Sequence, residues 1–398
     1  MSAVVSSLIP SVVEQPGHDL AAVRAGDGVP VDLLEALAAV VDPRAARGIR
    51  HRLVVILGIA VCATLGGARS FTEIAEWGRD LTVRARDRLG IARIAPSETA
   101  IRRTLQRVDP DLLDGGVSAW IAAQSRGPDA GAAGRCRAWQ VIALDGKTAR
   151  GARCGEDRAV HLMAAFDDAD GVVLGQAVVD GKTNEITAFA PLLDRIEITG
   201  KIITADALHT QHRHAEYLHG RGAHYAFTVK GNQPTLRNQL KELPWQDIPT
   251  VDVTRDKGHG RIETRTLKMT EVAAGIGFPH ARLAIQITRA SRGLNGKKRR
   301  SETVYVITDL SYEQITAEQI ADILRSHWGI ENRLHWVRDV TFSEDLSQIR
   351  TGHAPAVMAT LRNLAISIHR RRGAANIAAA TRHAGRHPHR PFTLLTPI

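Results

Sequence analysis

The stretch Trp139-Gln-Val-Ile-Ala-Leu-Asp-Gly-Lys-Thr148 decides the architecture. Its apolar run, Trp139 to Leu144, stops at Asp145-Gly146, a turn dipeptide. A short apolar run so bounded suits a strand buried on both faces of an α/β layer. Downstream, Ala159 to Phe166 and Val172 to Val179 flank Asp167-Asp168-Ala169-Asp170-Gly171, which reads as a hairpin turn. Calcium-loop spacing would put Phe166 in the first ligand position, so the turn is not read as a calcium site. Asn184-Glu185 opens a helix toward Leu193, with Glu185 as its dipole acid. Lys201 to Ala205 reads as a strand, Thr210 to Leu218 as a helix and Ala223 to Val229 as a strand. The order of three strands, helix, strand, helix, strand predicts an α/β layer.

On the N-terminal side, residues 1–28 read as a loose leader and 29–123 as a helical domain. Pro96-Ser97-Glu98 supplies a cap and a first-turn acid for a helix carrying Arg102, Arg103 and Arg107. Residues 124–137, rich in Gly and small side chains, read as a linker, and 138–369 as the core domain. Within the core, alternation between Val251 and Asp309 predicts further strands, including Leu283 to Thr288 and Thr303 to Thr308 around a basic loop, Arg289 to Arg300. Thr316-Ala-Glu-Gln319 is a capping box opening a long helix to about Arg338, and 370–398 reads as a basic tail.

Lys and Arg exceed Asp and Glu by 10 and the isoelectric point is near 9.9, which points to a polyanionic partner, nucleic acid before membrane. Cys62, Cys136 and Cys154 form no disulfide framework or C-x-x-C pair, which fits a reducing cytosol. The first 15 residues contain no Lys or Arg, unlike a signal peptide, and Leu53 to Leu65 is too short to span a bilayer. His209, His212 and His214, without paired cysteines, do not converge as zinc ligands.

Three carboxylates stand out. Asp145 and Asp206 each follow an apolar strand, and ligands of α/β sheets gather at the carboxyl ends of strands. Taken singly, each reads more readily as a turn residue or helix cap. On the long helix Ile320, Ile323, Leu324, His327, Leu334 and Arg338 project onto one face, and Glu331 falls about 20° from Ile320 at 3.6 residues per turn. A glutamate on a buried stripe is paired, protonated or bound to metal, with His327 and Arg338 as alternative partners and Asp339 as its best substitute. Three converging carboxylates suit two Mg²⁺ ions about 4 Å apart acting on one phosphodiester.

Ala143-Leu-Asp-Gly-Lys-Thr-Ala-Arg-Gly151 resembles the first catalytic block of insertion-sequence transposases of the ISAs group. His161-Leu-Met-Ala-Ala-Phe166, Val173-Leu-Gly-Gln176, Lys182-Thr-Asn-Glu-Ile186, Thr204-Ala-Asp-Ala-Leu-His-Thr-Gln211 and Val229-Lys-Gly-Asn-Gln233 follow in the family's order. So do His259-Gly-Arg-Ile-Glu-Thr-Arg265, the segment from His327 to Val340, Ser343-Glu-Asp345 and Leu361-Arg-Asn-Leu364. The resemblance spans roughly residues 30–395 and extends to H-repeat-associated proteins. It implies an RNase H-like core with a β-rich insertion at about 236–310 and an N-terminal helical domain. It also implies a DDE triad of Asp145, Asp206 and Glu331 holding two Mg²⁺ or Mn²⁺ ions, for cleavage and strand transfer at the element's ends. Where the wider superfamily has Tyr, Arg and Lys around the Glu, this chain has Leu324, His327 and Arg338.

The partner expected is double-stranded DNA, as terminal inverted repeats and as target, bound by a homo-oligomer in the bacterial cytoplasm at the nucleoid. Arg338, Arg261, Arg265 and Lys230 are expected on phosphates, Trp328 on an unpaired base, and Arg102 and Arg103 on the terminal repeats. A non-catalytic DNA-binding protein or a nuclease without strand transfer are the competing classes.

Overall fold

A computed structural model describes residues 32–47, 49–124, 139–153, 159–179, 184–258, 260–294 and 298–395. The expected leader and residues 125–137 of the expected linker lie outside the described residues.

Six helices come first: α1 (Leu33–Ala38), α2 (Leu53–Leu65), α3 (Phe71–Arg79), α4 (Val83–Leu89), α5 (Glu98–Leu105) and α6 (Pro110–Ala123). Asp32, Ser70, Thr82, Ser97 and Asp109 each accept a first-turn backbone N–H, so most of these helices start where the sequence places a capping side chain. α2 is buried along all but Val54, as its unbroken apolar run requires. Among the described residues no helix is long and apolar enough to cross a membrane.

The α/β layer follows as β1 (Val141–Thr148), the hairpin β2 (His161–Asp167) and β3 (Val172–Val179), α7 (Glu185–Leu193), β4 (Ile202–Ala205), α8 (His212–Gly220), β5 (His224–Val229) and α9 (Pro234–Glu242). Then come β6 (Thr250–Gly258), β7 (Arg261–Glu271), β8 (Leu283–Gly293) and β9 (Lys298–Thr308). All nine strands form one sheet in the order β3-β2-β1-β4-β5-β9-β8-β7-β6. β1, β4 and β5 run parallel, and the remaining pairs are antiparallel. The strand-rich stretch therefore continues the core sheet through β9 against β5. Much of the segment expected as a basic loop is strand, because Arg289 to Gly293 end β8 and Lys298 to Arg300 begin β9. The β8–β9 ladder carries through the charged stretch, with Arg289 opposite Glu302, Ala290 opposite Ser301 and Ser291 opposite Arg300.

On one face of the sheet, Phe189 and Leu192 of α7 and Ala215 and Leu218 of α8 cover Ile142, Leu144, Ile203 and Phe227. The other face carries Ala143 and Phe166, which share a core with Trp120 of α6, with Ile330 and Leu334, and with α12 (Ala354–Arg371), once α10 (Ala317–Ser326) and α11 (Trp336–Val340) have passed. The same core includes α1 and α2, which reach the sheet layer through α6 and α12, both packed on β3. The stretch expected as a basic tail is also folded: α12 reaches Arg371, and α13 (Ile377–Gly385) and α14 (Arg390–Leu394) follow. Trp77 packs against Phe392 at 6.0 Å between ring centroids, which anchors this end of the chain.

Candidate active site

Asp145 does not end its strand. β1 runs on to Thr148 against β2, with Asp145 opposite Ala164. What stops there is β4, whose last parallel pair with β1 is Leu144 with Ala205. Asp145 and Asp206 are the next residues along each strand, so the ladder brings them side by side. Strand alternation puts Asp145 on the face of Ala143, and Asp206 follows Thr204 in the same sense. That face looks toward α10 and the segment after it.

Two histidines of that helical stretch reach the strand ends. His327 Nδ1 lies 3.1 Å from Thr204 Oγ1, and His335 Nε2 lies 3.2 Å from Asp145 Oδ2. Burial lowers the His327 pKa, while Asp145 and Asp206 pull it back up. Asp206 accepts the Ala207 N–H as the cap of a single 3₁₀ turn, Ala207–His209, and Lys230 Nζ stands 3.5 Å from its Oδ1.

Glu331 corrects the projection made from sequence. The helix is not continuous at 3.6 residues per turn: Ile330–His335 forms a π-helical segment between α10 and α11. Ile330 and Leu334 take the buried positions, and Glu331 is exposed. Glu331 therefore does not lie on a buried stripe. What the structure gives for it is its position in the chain: it lies in the π-helical segment, between His327, which reaches Thr204 of β4, and His335, which lies beside Asp145 of β1. Among the described residues, no three His, Cys, Asp or Glu side chains converge closely enough to hold an ion as they stand.

The other acids are committed elsewhere. Asp339 accepts from Lys147 Nζ at 2.7 Å, and Asp309 is bonded by His224 and by the Tyr225 N–H. Arg338, expected on a phosphate, is fully buried. It grips Glu344 at 2.7 Å, and Arg362 grips the same carboxylate at 2.9 Å. Burial raises the Glu344 pKa, but the two guanidinium groups outweigh it and bring it to about 2. A cation neutralised inside the fold is unavailable to DNA.

The remaining expected contacts differ in freedom. Arg103 is exposed, and Arg102 is paired with Glu98 at 3.0 Å. Arg261 is half-exposed, 3.8 Å from Glu263. Arg265 is held by Glu263 at 2.6 Å and by Asp256 at 3.3 Å. Trp328 is partly exposed, yet the Arg265 and Arg289 guanidinium carbons lie 5.3 and 4.4 Å from its ring centroid. Its indole is thus already engaged by β7 and β8.

Glu185 is more than a dipole acid. Its two oxygens meet His161 Nε2 at 2.7 Å and His209 Nε2 at 3.2 Å, and these bonds hold its pKa down at about 2. The partners lie 24 residues away on either side, a distance at which no local periodicity operates.

A profile described as a transposase DDE domain matches residues 139–368, and one described as associated with it matches residues 34–121. The chain belongs to the DDE transposase family. It is 30% identical over 347 residues to the protein YbfL of Escherichia coli (strain K12), covering 84% of this chain and 89% of that one. The H repeat-associated protein YhhI of the same strain gives the same figures, and YncI of Escherichia coli O157:H7 is 29% identical over 84% of this chain and 86% of its own. Two of these three carry the word transposase in their names. Among solved structures, the piggyBac transposase synaptic complex with hairpin DNA aligns with a TM-score of 0.39 and 12% identity, over 91% of this chain and 76% of that one.

Proposed function

We propose that this transposase cleaves DNA at the ends of an insertion sequence and joins the freed ends to target DNA, using Asp145, Asp206 and Glu331. The observation that carries the reading is the lateral pairing of Asp145 and Asp206 where β4 stops beside β1, facing the helix that bears Glu331. The strand order β3-β2-β1-β4-β5, with β1, β4 and β5 parallel, supports an RNase H-like core.

The donor set is chemically suited to Mg²⁺ or Mn²⁺: carboxylate oxygens, without thiolates, at the open end of a strand pair. Asp145 and Asp206 would hold the metal, and the exposed Glu331 side chain would complete the set by turning toward them. A bound divalent ion supplies Lewis acidity to the phosphodiester. The protein's own groups do the rest. His335 stands 3.2 Å from the Asp145 carboxylate, and Lys230 sets a positive charge beside Asp206 for an incoming phosphate. Burial keeps His327 toward its neutral form, bonded to Thr204.

The reaction is two in-line displacements. Water attacks the phosphorus at the element's end, breaking the bond to the 3′ oxygen and leaving a 3′-OH and a 5′-phosphate. That 3′-OH then attacks a target phosphodiester and displaces another 3′ oxygen. Joining two ends at one target calls for a homo-oligomer on double-stranded DNA, for whose phosphates Arg103 and Arg261 are the exposed cations among those expected from sequence.

Asp145→Asn, Asp206→Asn and Glu331→Gln should each lower end cleavage and strand transfer by about a thousand-fold, roughly 4 kcal/mol of barrier. The assay uses terminal-repeat DNA and a target plasmid with Mg²⁺ or Mn²⁺. Wild-type rates in Asp145→Asn would end the assignment, and cleavage without joining in the parent protein would make it a nuclease.

A further inference from the structure

Asp145 and Asp206 are held in different ways. Asp145 is part of a ladder, whereas Asp206 lies past the end of β4 on a single 3₁₀ turn. That turn is fastened toward β5 by Asn232 Nδ2 on the Ala207 carbonyl at 2.6 Å and by Thr210 Oγ1 on the Thr228 carbonyl at 2.7 Å. Beyond the β1–β4 ladder, which ends at Leu144 and Ala205, Glu185 ties the turn toward β1 and β2. One of its oxygens takes His209, the last residue of the turn, whose N–H donates to the Asp206 carbonyl at 2.9 Å. The other takes His161, which pairs with Thr148 in the β1–β2 ladder and lies 2.8 Å from its hydroxyl.

The residue after Asp145 is shaped to admit this carboxylate. A Cβ on Gly146 would stand 2.2 Å from Glu185 Oε1 and 2.7 Å from His161 Nε2. His209 is fully buried, its ring packed beside Phe189 and His214. The brace therefore sits on the α7 face of the sheet, opposite the side on which Asp145 meets His335.

We propose that Glu185 is a positioning residue that fixes the spacing of Asp145 and Asp206 by tying the His209 turn to the His161 end of β2. It touches neither aspartate side chain in the described contacts and is not itself an ion ligand. The inference rests on the reading of those aspartates as the ion-binding pair. Carboxylates that share an ion must be held to within about 0.5 Å, and outer partners of a metal site commonly change its affinity ten-fold or more when removed.

The test is Mn²⁺ binding by the full chain, measured by calorimetry and by electron paramagnetic resonance of the free ion, beside the thermal unfolding midpoint. Glu185→Gln should weaken Mn²⁺ binding about ten-fold while the protein remains folded. His161→Gln, at a partly exposed site, should weaken it in the same direction, and the double variant should be no weaker than Glu185→Gln alone. A folded Glu185→Gln or His161→Gln protein with unchanged Mn²⁺ affinity overturns the proposal. So does complete loss of binding in Glu185→Gln equal to that in Asp206→Asn, which would make Glu185 a ligand. If Asp145→Asn and Asp206→Asn bind Mn²⁺ like the parent, it is the reading of the pair that falls.

Discussion

Two carboxylate sites flank the helical stretch from α10 to α11, and they treat charge in opposite ways. Glu344 is buried, and both its oxygens are taken by Arg338 and Arg362, with Gln176 and Asn363 around Arg338. Asp145 and Asp206 lie side by side, partly exposed, with His335 at 3.2 Å and Lys230 at 3.5 Å as basic neighbours. Sealing Glu344 away requires full pairing, because an uncompensated charge in the interior costs several kcal/mol. Leaving two like charges adjacent and accessible is unfavourable for folding and useful for capturing a cation. The contrast separates charge sealed inside the fold by full pairing from charge left open at the site proposed above.

The largest effect that would sharpen the contrast is on Glu344. Glu344→Gln leaves Arg338 and Arg362 facing each other without a counter-ion and should cost about 3–5 kcal/mol in urea unfolding. In the same measurement Asp145→Asn should leave stability unchanged or raise it. Equal destabilisation by the two would erase the distinction.

Asp114 is an intermediate case, buried in α6 and accepting the Gln176 N–H of β3 at 2.8 Å, with Arg195 4.0 Å away. Burial raises its pKa to about 7. An acid whose folded pKa exceeds its unfolded value binds more protons when folded, so stability falls as pH rises from the ordinary 3.8 to about 7. Unfolding midpoints should therefore drop between pH 5 and pH 8, and Asp114→Asn should flatten that part of the slope while gaining stability at pH 8.

The smallest effect belongs to Trp328. Replacing it with Leu removes two cation–π contacts at a partly exposed site and should cost no more than about 1 kcal/mol. A loss several times larger would mean that β7 and β8 depend on this contact for docking to α10.

Much of the architecture was legible because apolar runs and capping residues act locally. The β4 and β5 runs, the Asn184 cap and the Thr316–Gln319 box all appear where the sequence put them. The adjacency of Asp145 and Asp206 was not legible: Asp145 read as a strand end, whereas β1 runs on to Thr148, and register across β1 and β4 is set by packing. Glu331 was placed on the wrong face because the projection assumed 3.6 residues per turn through a π-helical segment. Arg338 and Glu185 were misjudged for a shared reason. A lone charged residue does not announce whether its partner is solvent, DNA or another side chain far along the chain.

The embedding of Asp145 inside β1 has a thermodynamic consequence. Its backbone is ordered by folding itself, in register with Ala164 on one side and beyond Leu144–Ala205 on the other. Ordering a residue's backbone costs about 1–2 kcal/mol, and here that cost is met before any cation arrives. Only two side-chain torsions remain to be frozen. If the proposed site is right, Asp145's share of the entropy of assembling it is transferred from each encounter with DNA to the single event of folding.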